Sequence, residues 1–218
     1  MARQKQFRFE EIRYRENVLT EEKPILDDIK GKWRSDFFKN ENPIVLELGC
    51  GKGEYTVGLA ARFPEKNFVG VDVKGDRLWV GSTWAIEQNL KNAAFLRVQI
   101  QQLESYFAPE EVDEIWVTFP DPRPKIRDAK RRLTSPRFLQ IYKNILAPDG
   151  IVHLKTDSEL LFDFTLDTLQ DFPAVLLAHT YDLYSSPLNN DHFGIKTKFE
   201  RDFYDMGYSI KYLKFQFA

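Results

Sequence analysis

The sequence predicts an α/β protein with a mostly parallel sheet of seven strands, the last of which is antiparallel. From residue 44 onward, apolar runs of strand length alternate with longer segments of helical periodicity, which is the pattern of repeated β–α units. Directly after the first predicted strand comes a glycine turn (residues 49–53, Gly-Cys-Gly-Lys-Gly), where the backbone can approach a ligand closely. A chain of 218 residues is long enough for one such domain.

The seven predicted strands lie at residues 44–48, 68–72, 94–98, 114–119, 151–156, 174–180 and 209–217. The early ones are largely apolar and often β-branched, as expected for strands that are covered on both faces. In the last one, aromatic residues occur on both faces, which favours an edge position or an antiparallel partner.

Helices are predicted at residues 55–62, 75–90, 135–146 and 159–171. Ser135 and Pro136 begin the third helix, and Pro148-Asp149-Gly150 follows its end. Near-helical spacing of apolar residues within residues 19–38 predicts a covering helix ahead of the sheet. We therefore expect an N-terminal arm and covering helix over residues 1–40 and the sheet over residues 41–218, as one domain overall.

Charge is distributed unevenly along the chain. The formal net charge is −2, and the isoelectric point is near 6.0. Within residues 123–132, however, six basic side chains oppose only Asp128. Affinity for a polyanion must therefore come from local clusters such as this one, which we call the basic segment.

Cysteine usage and hydropathy exclude several classes of protein. The single cysteine, Cys50, cannot form an intramolecular disulfide or a multi-cysteine metal site. His153, His179 and His192 are expected in core or surface positions because no second ligand stands at metal spacing, so no metal is predicted. No stretch approaches the roughly 18 apolar residues of a membrane helix, and no apolar signal core follows Met1, so we expect a cytoplasmic protein.

The glycine turn matches neither of two common nucleotide-binding patterns. Counted from Gly49 or from Gly51, the sixth position is not glycine, which excludes the dinucleotide fingerprint. The Gly-Lys pair ending at Lys52 is followed by glycine, whereas a phosphate-binding P-loop needs serine or threonine there. Glu47, which we place inside the turn, would repel a pyrophosphate but attract a cationic ligand such as the sulfonium S-adenosylmethionine. Asp72 ends the second strand, where its carboxylate can accept ribose hydroxyls.

A stiff, charged loop follows the fourth strand. This proline loop (residues 119–124, Phe-Pro-Asp-Pro-Arg-Pro) contains three prolines, which lack N–H groups and fix φ. Asp121 is therefore held in one place at the end of the strand. The basic segment overlaps the end of the loop, and a fixed carboxylate beside a cationic surface suggests a nucleic-acid substrate.

Several motifs together resemble a known family. Residues 47–53 (Glu-x-Gly-x-Gly-x-Gly) and the later Asp72 resemble the class I methyltransferase fold, which is Rossmann-like. Four further motifs resemble those of tRNA (guanine-N7)-methyltransferases. They lie at residues 119–125, 130–133, 154–157 and 197–200. The resemblance covers the chain from about residue 42 to its end, and the combination of motifs makes it specific.

This resemblance implies methyl transfer from S-adenosyl-L-methionine to N7 of a guanosine in the tRNA variable loop, with S-adenosyl-L-homocysteine as the other product. It implies Asp121 as the catalytic residue and tRNA as the partner of a monomeric or homodimeric protein. The implied cofactor-binding residues are Glu47, Gly49, Gly51, Gly53, Asp72, Gln99 and Asp121. The implied substrate-binding residues are Lys125, Asp157, Thr197, Lys198, Phe199 and Glu200, and the implied RNA-binding residues are Arg123, Arg127, Lys130, Arg131 and Arg132.

Two of these positions depart from the family pattern, and alternatives remain open. Arg123 replaces the usual tryptophan of the proline loop, and Gln99 replaces an acidic residue near the adenine. Thr197 and Glu200 also fit a capping box for a short helix over residues 199–206. The alternative functions are a non-catalytic tRNA-binding module of the same fold, and a methyltransferase for another RNA or for a protein.

Overall fold

The computed structural model describes the backbone of residues 2–218 and the side chains of residues 4–218. Its strands are β1 (Val18–Leu19), β2 (Ile44–Leu48), β3 (Asn67–Val71), β4 (Ala93–Leu96), β5 (Val112–Thr118), β6 (Leu146–Thr156), β7 (Ala174–Thr180) and β8 (Lys211–Phe217). They form one sheet in the order β1-β4-β3-β2-β5-β6-β8-β7. Strand β8 runs antiparallel to both of its neighbours, whereas the other strand pairs are parallel.

The α-helices are α1 (Ala2–Glu11), α2 (Ile25–Asp28), α3 (Glu54–Arg62), α4 (Gly75–Glu87), α5 (Leu103–Tyr106), α6 (Pro136–Ile145), α7 (Glu159–Asp171) and α8 (Lys198–Asp205). The long helices α3, α4, α6 and α7 follow strands of the sheet, which gives the right spacing for parallel β–α units. A 3-10 helix, Ile126–Arg131, lies within the basic segment.

Both faces of the sheet are covered, and strands β2, β3 and β4 are buried at every residue. On one face Trp33 stacks on Phe107, with ring centroids 5.0 Å apart. On the other face Trp116 stacks on His153, with ring centroids 3.9 Å apart. This double coverage explains why the central strands are apolar at successive positions, without polar alternation.

The predicted α/β class and the antiparallel last strand are confirmed, and all seven predicted strands are present. The sheet has an eighth strand, β1, which the sequence pattern does not predict because only two residues form it. Leu19 of this strand pairs with Leu96 at the edge of the sheet. Helix α4 ends at Glu87, three residues earlier than predicted, and Asn89 just beyond it adopts a left-handed φ of 55°.

The covering helix predicted over residues 19–38 is wrong. That segment contains the end of β1, the single turn α2 and a π-helical turn, Trp33–Phe38. Pro24 stands at the N-cap of α2, and Gly31 has a left-handed φ of 79°, so the helical path is interrupted twice. Strand β1 belongs to the sheet, and α1 packs against α4. The expectation of one domain overall stays a prediction.

Among residues 2–218, no helix is both long enough and apolar enough to cross a bilayer. Within the same range, no group of three or more His, Cys, Asp or Glu side chains is arranged to hold a metal ion.

Candidate active site

A cavity of about 540 Å³ opens at the carboxyl ends of β2, β3 and β5. In open α/β sheets this edge is where ligands bind. Five pieces of chain form its walls: the glycine turn, the stretch from Asp72 to Arg77, the proline loop, residues 131–133, and the start of α8 at residues 197–199, which we call the α8 wall. The topology therefore brings together motifs that stand up to 150 residues apart in the sequence.

The glycine turn is shaped by backbone conformations that favour glycine. Gly49, Gly51 and Gly53 all have positive φ, at 74°, 57° and 71°. At Gly53 a Cβ atom would also stand 2.5 Å from Cε1 of Phe95. The backbone N–H groups of Gly49 and Cys50 both donate to the carbonyl oxygen of Val71, at 2.8 and 3.1 Å, which ties the turn to β3.

Asp72 stands at the end of β3 and is half-buried at the cavity wall. Its Oδ2 accepts a hydrogen bond from the N–H of Gly51 at 3.0 Å, and its Oδ1 accepts one from the N–H of Lys74 at 2.8 Å. Each carboxylate oxygen retains a further lone pair for a ligand hydroxyl. Asp72 is therefore hydrogen-bonded to the glycine turn, and its contact with the ribose stays a prediction.

Glu47 lies in β2 beneath the glycine turn, not inside the turn as the sequence interpretation placed it. Its side chain is 3% exposed. Thr56 donates to Oε2 from both its N–H (2.8 Å) and its hydroxyl (2.5 Å), and the hydroxyl of Thr118 donates to Oε1 at 2.7 Å. Burial raises the pKa of Glu47 to about 7, although these hydrogen bonds act in the opposite direction. The carboxyl group thus forms an acidic floor of the cavity.

Asp121 stands at the mouth of the cavity, where 59% of its side chain is exposed. Arg123 contacts it twice: the backbone N–H donates to Oδ1 at 3.1 Å, and Nε lies 3.1 Å from Oδ2. Arg123 has a left-handed φ of 48°, and so does Phe119. The residue that departs from the family pattern therefore turns back onto the predicted catalytic carboxylate.

The α8 wall begins with the capping box that the sequence suggests. The hydroxyl of Thr197 accepts from the N–H of Glu200 at 3.2 Å, and the Glu200 side chain accepts from the N–H of Thr197 at 3.3 Å. Glu200 is fully buried and its carboxylate lies 2.8 Å from Nζ of Lys155. Thr197, Lys198 and Phe199 line the cavity, whereas Glu200 does not. Direct contact between Glu200 and substrate stays a prediction that this arrangement does not favour.

Known proteins with similar sequences are methyltransferases. The family described as "Putative methyltransferase" matches residues 41–213. Curated tRNA (guanine-N(7)-)-methyltransferases of Cytophaga hutchinsonii and Christiangramia forsetii are each 48% identical to this chain. The alignments cover 100% of this chain and 99% of the first relative, and 96% of both chains for the second. This chain belongs to the tRNA (guanine-N(7)-)-methyltransferase family.

Solved structures of other methyltransferases share the fold at low sequence identity. The 16S rRNA methyltransferase KamB superposes with a TM-score of 0.63 at 14% identity, over 81% of this chain and 88% of that one. TrmN from Thermus thermophilus gives a TM-score of 0.59 at 18% identity, over 81% of this chain and 44% of that one. These likenesses establish the class I methyltransferase architecture for this family member.

The residues that line the cavity of this methyltransferase suit S-adenosylmethionine. The turn around Gly51 leaves its backbone open to a ligand, because a Cβ there would meet nothing closer than 3.9 Å. Asp72 offers carboxylate oxygens for ribose hydroxyls, and Glu47 places an acidic group beneath the turn, where a sulfonium cation is favoured. The donor set therefore fits an adenosyl cation better than a polyphosphate.

The predicted adenine contact lies outside this cavity. Gln99 is exposed and lines a separate cavity of about 210 Å³, together with Val73, Val98 and Arg97. Its backbone N–H donates to the side-chain oxygen of Gln102 at 3.3 Å. Because Val73 directly follows Asp72, this second cavity begins next to the proposed ribose site, and the role of Gln99 stays a prediction.

Two predicted substrate residues are also placed outside the cavity lining. Asp157 is half-buried after β6, and burial raises the pKa of its carboxyl group. Its carbonyl oxygen accepts from Nζ of Lys211 at 3.0 Å. Lys125 is exposed at the start of the 3-10 helix. The structure gives neither side chain a contact with the cavity, so their substrate roles stay predictions.

The basic segment separates into exposed and buried cations. Arg131 lines the cavity and pairs with Asp128 at 3.3 Å, and Arg127 and Lys130 are exposed. Arg132 is only 6% exposed. Its guanidinium donates to the carbonyl oxygens of Pro122 and Arg123, both at 3.1 Å, and lies 4.4 Å from the ring centroid of Phe164. These contacts hold the proline loop, and direct contact between Arg132 and RNA stays a prediction that this burial does not favour.

Sequence reasoning did not single out Lys155, whose buried side chain lies behind the α8 wall. The available signal was a lysine inside an otherwise apolar strand, between Leu154 and Thr156. A lysine is almost never fully buried unless it is paired. The partner, Glu200, stands 45 residues later, so the pairing cannot be read from local pattern.

Proposed function

We propose that this protein transfers the methyl group of S-adenosylmethionine to N7 of a guanosine in the variable loop of tRNA, leaving 7-methylguanosine and S-adenosylhomocysteine. The observation that carries the proposal is the placement of Asp121 in the same cavity as the glycine turn and Asp72. Membership of the tRNA (guanine-N(7)-)-methyltransferase family supports it. The proposal includes action on tRNA in the cytoplasm, by a monomer or a homodimer.

Methylation at guanine N7 does not require a general base from the protein. Guanine N7 has a lone pair in the plane of the ring, so no proton has to be removed before it attacks. S-adenosylmethionine, when bound, supplies an electrophilic methyl group. The residues of the site must hold N7 in line with that methyl and stabilise the positive charge that develops on the purine.

Asp121 is suited to both tasks. Its carboxylate can accept from guanine N1–H and from the exocyclic amino group, and its charge opposes the one that develops on the ring. The present partner, Arg123, is bound through an exposed ion pair, which contributes at most about 1 kcal/mol and is readily exchanged. The exposed ring of Phe199 in the α8 wall offers a face on which a guanine can stack.

Access of the target base requires displacement from its tRNA contacts. Extrusion of a stacked base costs a few kcal/mol, which protein–phosphate contacts must offset. The exposed cations of the basic segment stand next to the cavity, with Arg131 in its wall. The surface that binds the phosphates therefore adjoins the cavity that receives the extruded guanine.

The test is transfer of labelled methyl groups from S-adenosylmethionine to unmodified tRNA, followed by nucleoside analysis for 7-methylguanosine. The Asp121→Ala variant should lose about 10²- to 10³-fold in kcat, because it removes one preorganised electrostatic contact. Its affinity for S-adenosylmethionine should fall much less, because the glycine turn and Asp72, the other implied cofactor contacts in this cavity, are unchanged. Asp128→Ala, an acidic residue of the same loop region that does not line the cavity, is the matched control.

Three outcomes separate the possible readings. Loss of product in Asp121→Ala with product retained in Asp128→Ala supports the proposal. Unchanged turnover in Asp121→Ala would show that this carboxylate is not catalytic. Binding of both tRNA and S-adenosylmethionine without any product would favour the binding-module alternative, for which the clamp of Arg123 on Asp121 is the structural argument.

A further inference from the structure

A buried ion pair lies directly behind the α8 wall. Lys155 of β6 and Glu200 of α8 are both 0% exposed, and Nζ of Lys155 lies 2.8 and 2.9 Å from the two carboxylate oxygens. Tyr184 donates its hydroxyl to Glu200 at 2.6 Å, and the ammonium also lies 4.9 Å from the ring centroid of Tyr55. The pair is thus enclosed by protein and faces neither solvent nor the cavity.

Lys155 contacts the opposite wall through its backbone. Its carbonyl oxygen accepts from the N–H of Phe119 at 2.8 Å, at the first residue of the proline loop. In the sheet it pairs in register with Thr118, whose hydroxyl donates to Glu47. One residue therefore joins the proline loop, through its main chain, to the α8 wall, through its side chain.

The α8 wall has a second attachment, to the end of the glycine turn. Glu54, the first residue of α3, accepts from the N–H of Lys198 at 2.9 Å and lies 3.4 Å from the guanidinium of Arg201. This contact is solvent-accessible, whereas the Lys155–Glu200 pair is buried. The buried pair is the stiffer of the two attachments because a low-dielectric environment strengthens the interaction of paired charges.

Stability alone is a weak reason for a buried ion pair. Removing two charges from water is costly, and well-packed neutral side chains of similar size often stabilise a fold equally well. A pair of this kind has a clearer use when it specifies one geometry. Here that geometry is the distance between Asp121 on the proline loop and Phe199 on the α8 wall.

We propose that Lys155 is a positioning residue for guanine methylation: by holding Glu200 and the N–H of Phe119, it sets the two walls between which the base is oriented. The inference rests on the proposed function. Lys155 does not touch the reacting atoms, so its loss should affect the geometry of transfer and leave cofactor binding intact.

The decisive variant is the double substitution Lys155→Met with Glu200→Gln. It removes both charges together, so no uncompensated charge is left buried, and glutamine retains the capping-box geometry. We expect kcat for tRNA methylation to fall about 10²-fold, the loss associated with a displacement of about 1 Å. The KM for tRNA, the Kd for S-adenosylmethionine and the thermal midpoint should change little.

The control is a second ion pair, which is partly exposed, at the opposite end of the sheet. Arg34 and Asp113 lie 2.7 Å apart, next to the start of β2, where Asp113 also accepts from the N–H of Ile44. The double variant Arg34→Met with Asp113→Asn should retain the turnover of the unmodified protein within about twofold. If both double variants lose kcat equally, the effect is general destabilisation and the positioning role is refuted.

The outcomes separate this inference from the proposed function. If the unmodified protein makes no 7-methylguanosine, the proposed function fails. If it is active and the Lys155→Met/Glu200→Gln variant matches its kcat, only the positioning role fails. Should that variant not fold, Tyr184→Phe, which removes one hydrogen bond to Glu200, replaces it; a kcat lowered about fivefold supports the inference, and an unchanged kcat refutes it.

Discussion

Glu47 and Asp121, two of the carboxylates that line the cavity, are in opposite environments. Glu47 is enclosed by hydroxyl and backbone donors, whereas Asp121 is mostly exposed and shares its charge with Arg123. The sequence could predict that both stand at strand ends, because the carboxyl ends of parallel strands meet at one edge of the sheet. It could not predict their exposure, which depends on Thr56, Thr118 and the turn of Arg123 toward Asp121.

The raised pKa of Glu47 predicts a pH dependence of stability. Burial raises its pKa from 4.5 to about 7, so the folded state binds a proton more tightly than the unfolded state does. The resulting stabilisation is fully present below pH 4.5 and is lost as the pH rises through about 7. The shift corresponds to about 3 kcal/mol in the free energy of unfolding.

Urea unfolding between pH 5 and pH 8 tests this expectation. The Glu47→Gln variant cannot titrate at this position, so its free energy of unfolding should depend less steeply on pH than that of the unmodified protein. The amide oxygen can accept from Thr56, and the amide nitrogen can donate to Thr118. Parallel pH profiles for the two proteins would contradict the assigned pKa.

At the scale of elements, the parallel strands were predictable and the N-terminal segment was not. Strands β2 to β5 are apolar enough to be recognised as strands from the sequence alone. Strand β1 is defined by its partner, since only pairing with β4 makes two residues a strand. The expected covering helix fails at Pro24 and Gly31, where backbone constraints prevail over apolar spacing.

The site could be predicted where its motifs determine local structure. The glycine turn and the capping box at Thr197 are short-range patterns, and both are present. The buried roles of Glu200 and Arg132 depend on Lys155 and Phe164, which are distant in sequence. A charged residue in a motif therefore indicated a functional region without revealing whether the side chain faces the ligand or supports the wall.

Gly53, in the glycine turn, and Gly194, outside it, allow the effect of backbone strain to be distinguished from that of steric exclusion. Gly53 and Gly194 have similar φ values, 71° and 74°, but a Cβ at Gly53 would stand 2.5 Å from Phe95, whereas one at Gly194 would meet nothing within 4 Å. Gly194→Ala should therefore lower the free energy of unfolding by about 1 to 2 kcal/mol, from strain alone. Gly53→Ala should lower it by about 2 to 4 kcal/mol, because overpacking against Phe95 is added.

Chemical denaturation of both variants measures this difference. The affinity of both variants for S-adenosylmethionine should also be measured. It should fall only in Gly53→Ala, because only that substitution displaces the glycine turn. Equal losses of stability would mean that the ring of Phe95 moves aside at no cost, contrary to its complete burial.

For the whole molecule, the net charge of −2 does not reflect the local positive charge of the basic segment, which is suited to binding a polyanion. Opposing charges reduce the contribution of Arg123 and Arg131, which are paired with Asp121 and Asp128. The most available cations of the basic segment are the exposed side chains of Lys125, Arg127 and Lys130. The logarithm of RNA affinity should therefore fall linearly with the logarithm of salt concentration. The slope should be roughly proportional to the number of these cations that contact phosphates.

Lys130 and Arg132 provide the sharpest test of this division, because they stand two residues apart with opposite burial. Lys130→Ala should reduce the slope of log K against log salt concentration by about one and leave stability almost unchanged. Arg132→Ala should preserve the slope but lower the free energy of unfolding by about 2 kcal/mol, since the proline loop loses its guanidinium contacts. Measuring tRNA binding across a salt series, together with urea unfolding, separates the two effects. An equal reduction of slope in both variants would return Arg132 to the RNA-binding surface and would imply that the proline loop opens when tRNA binds.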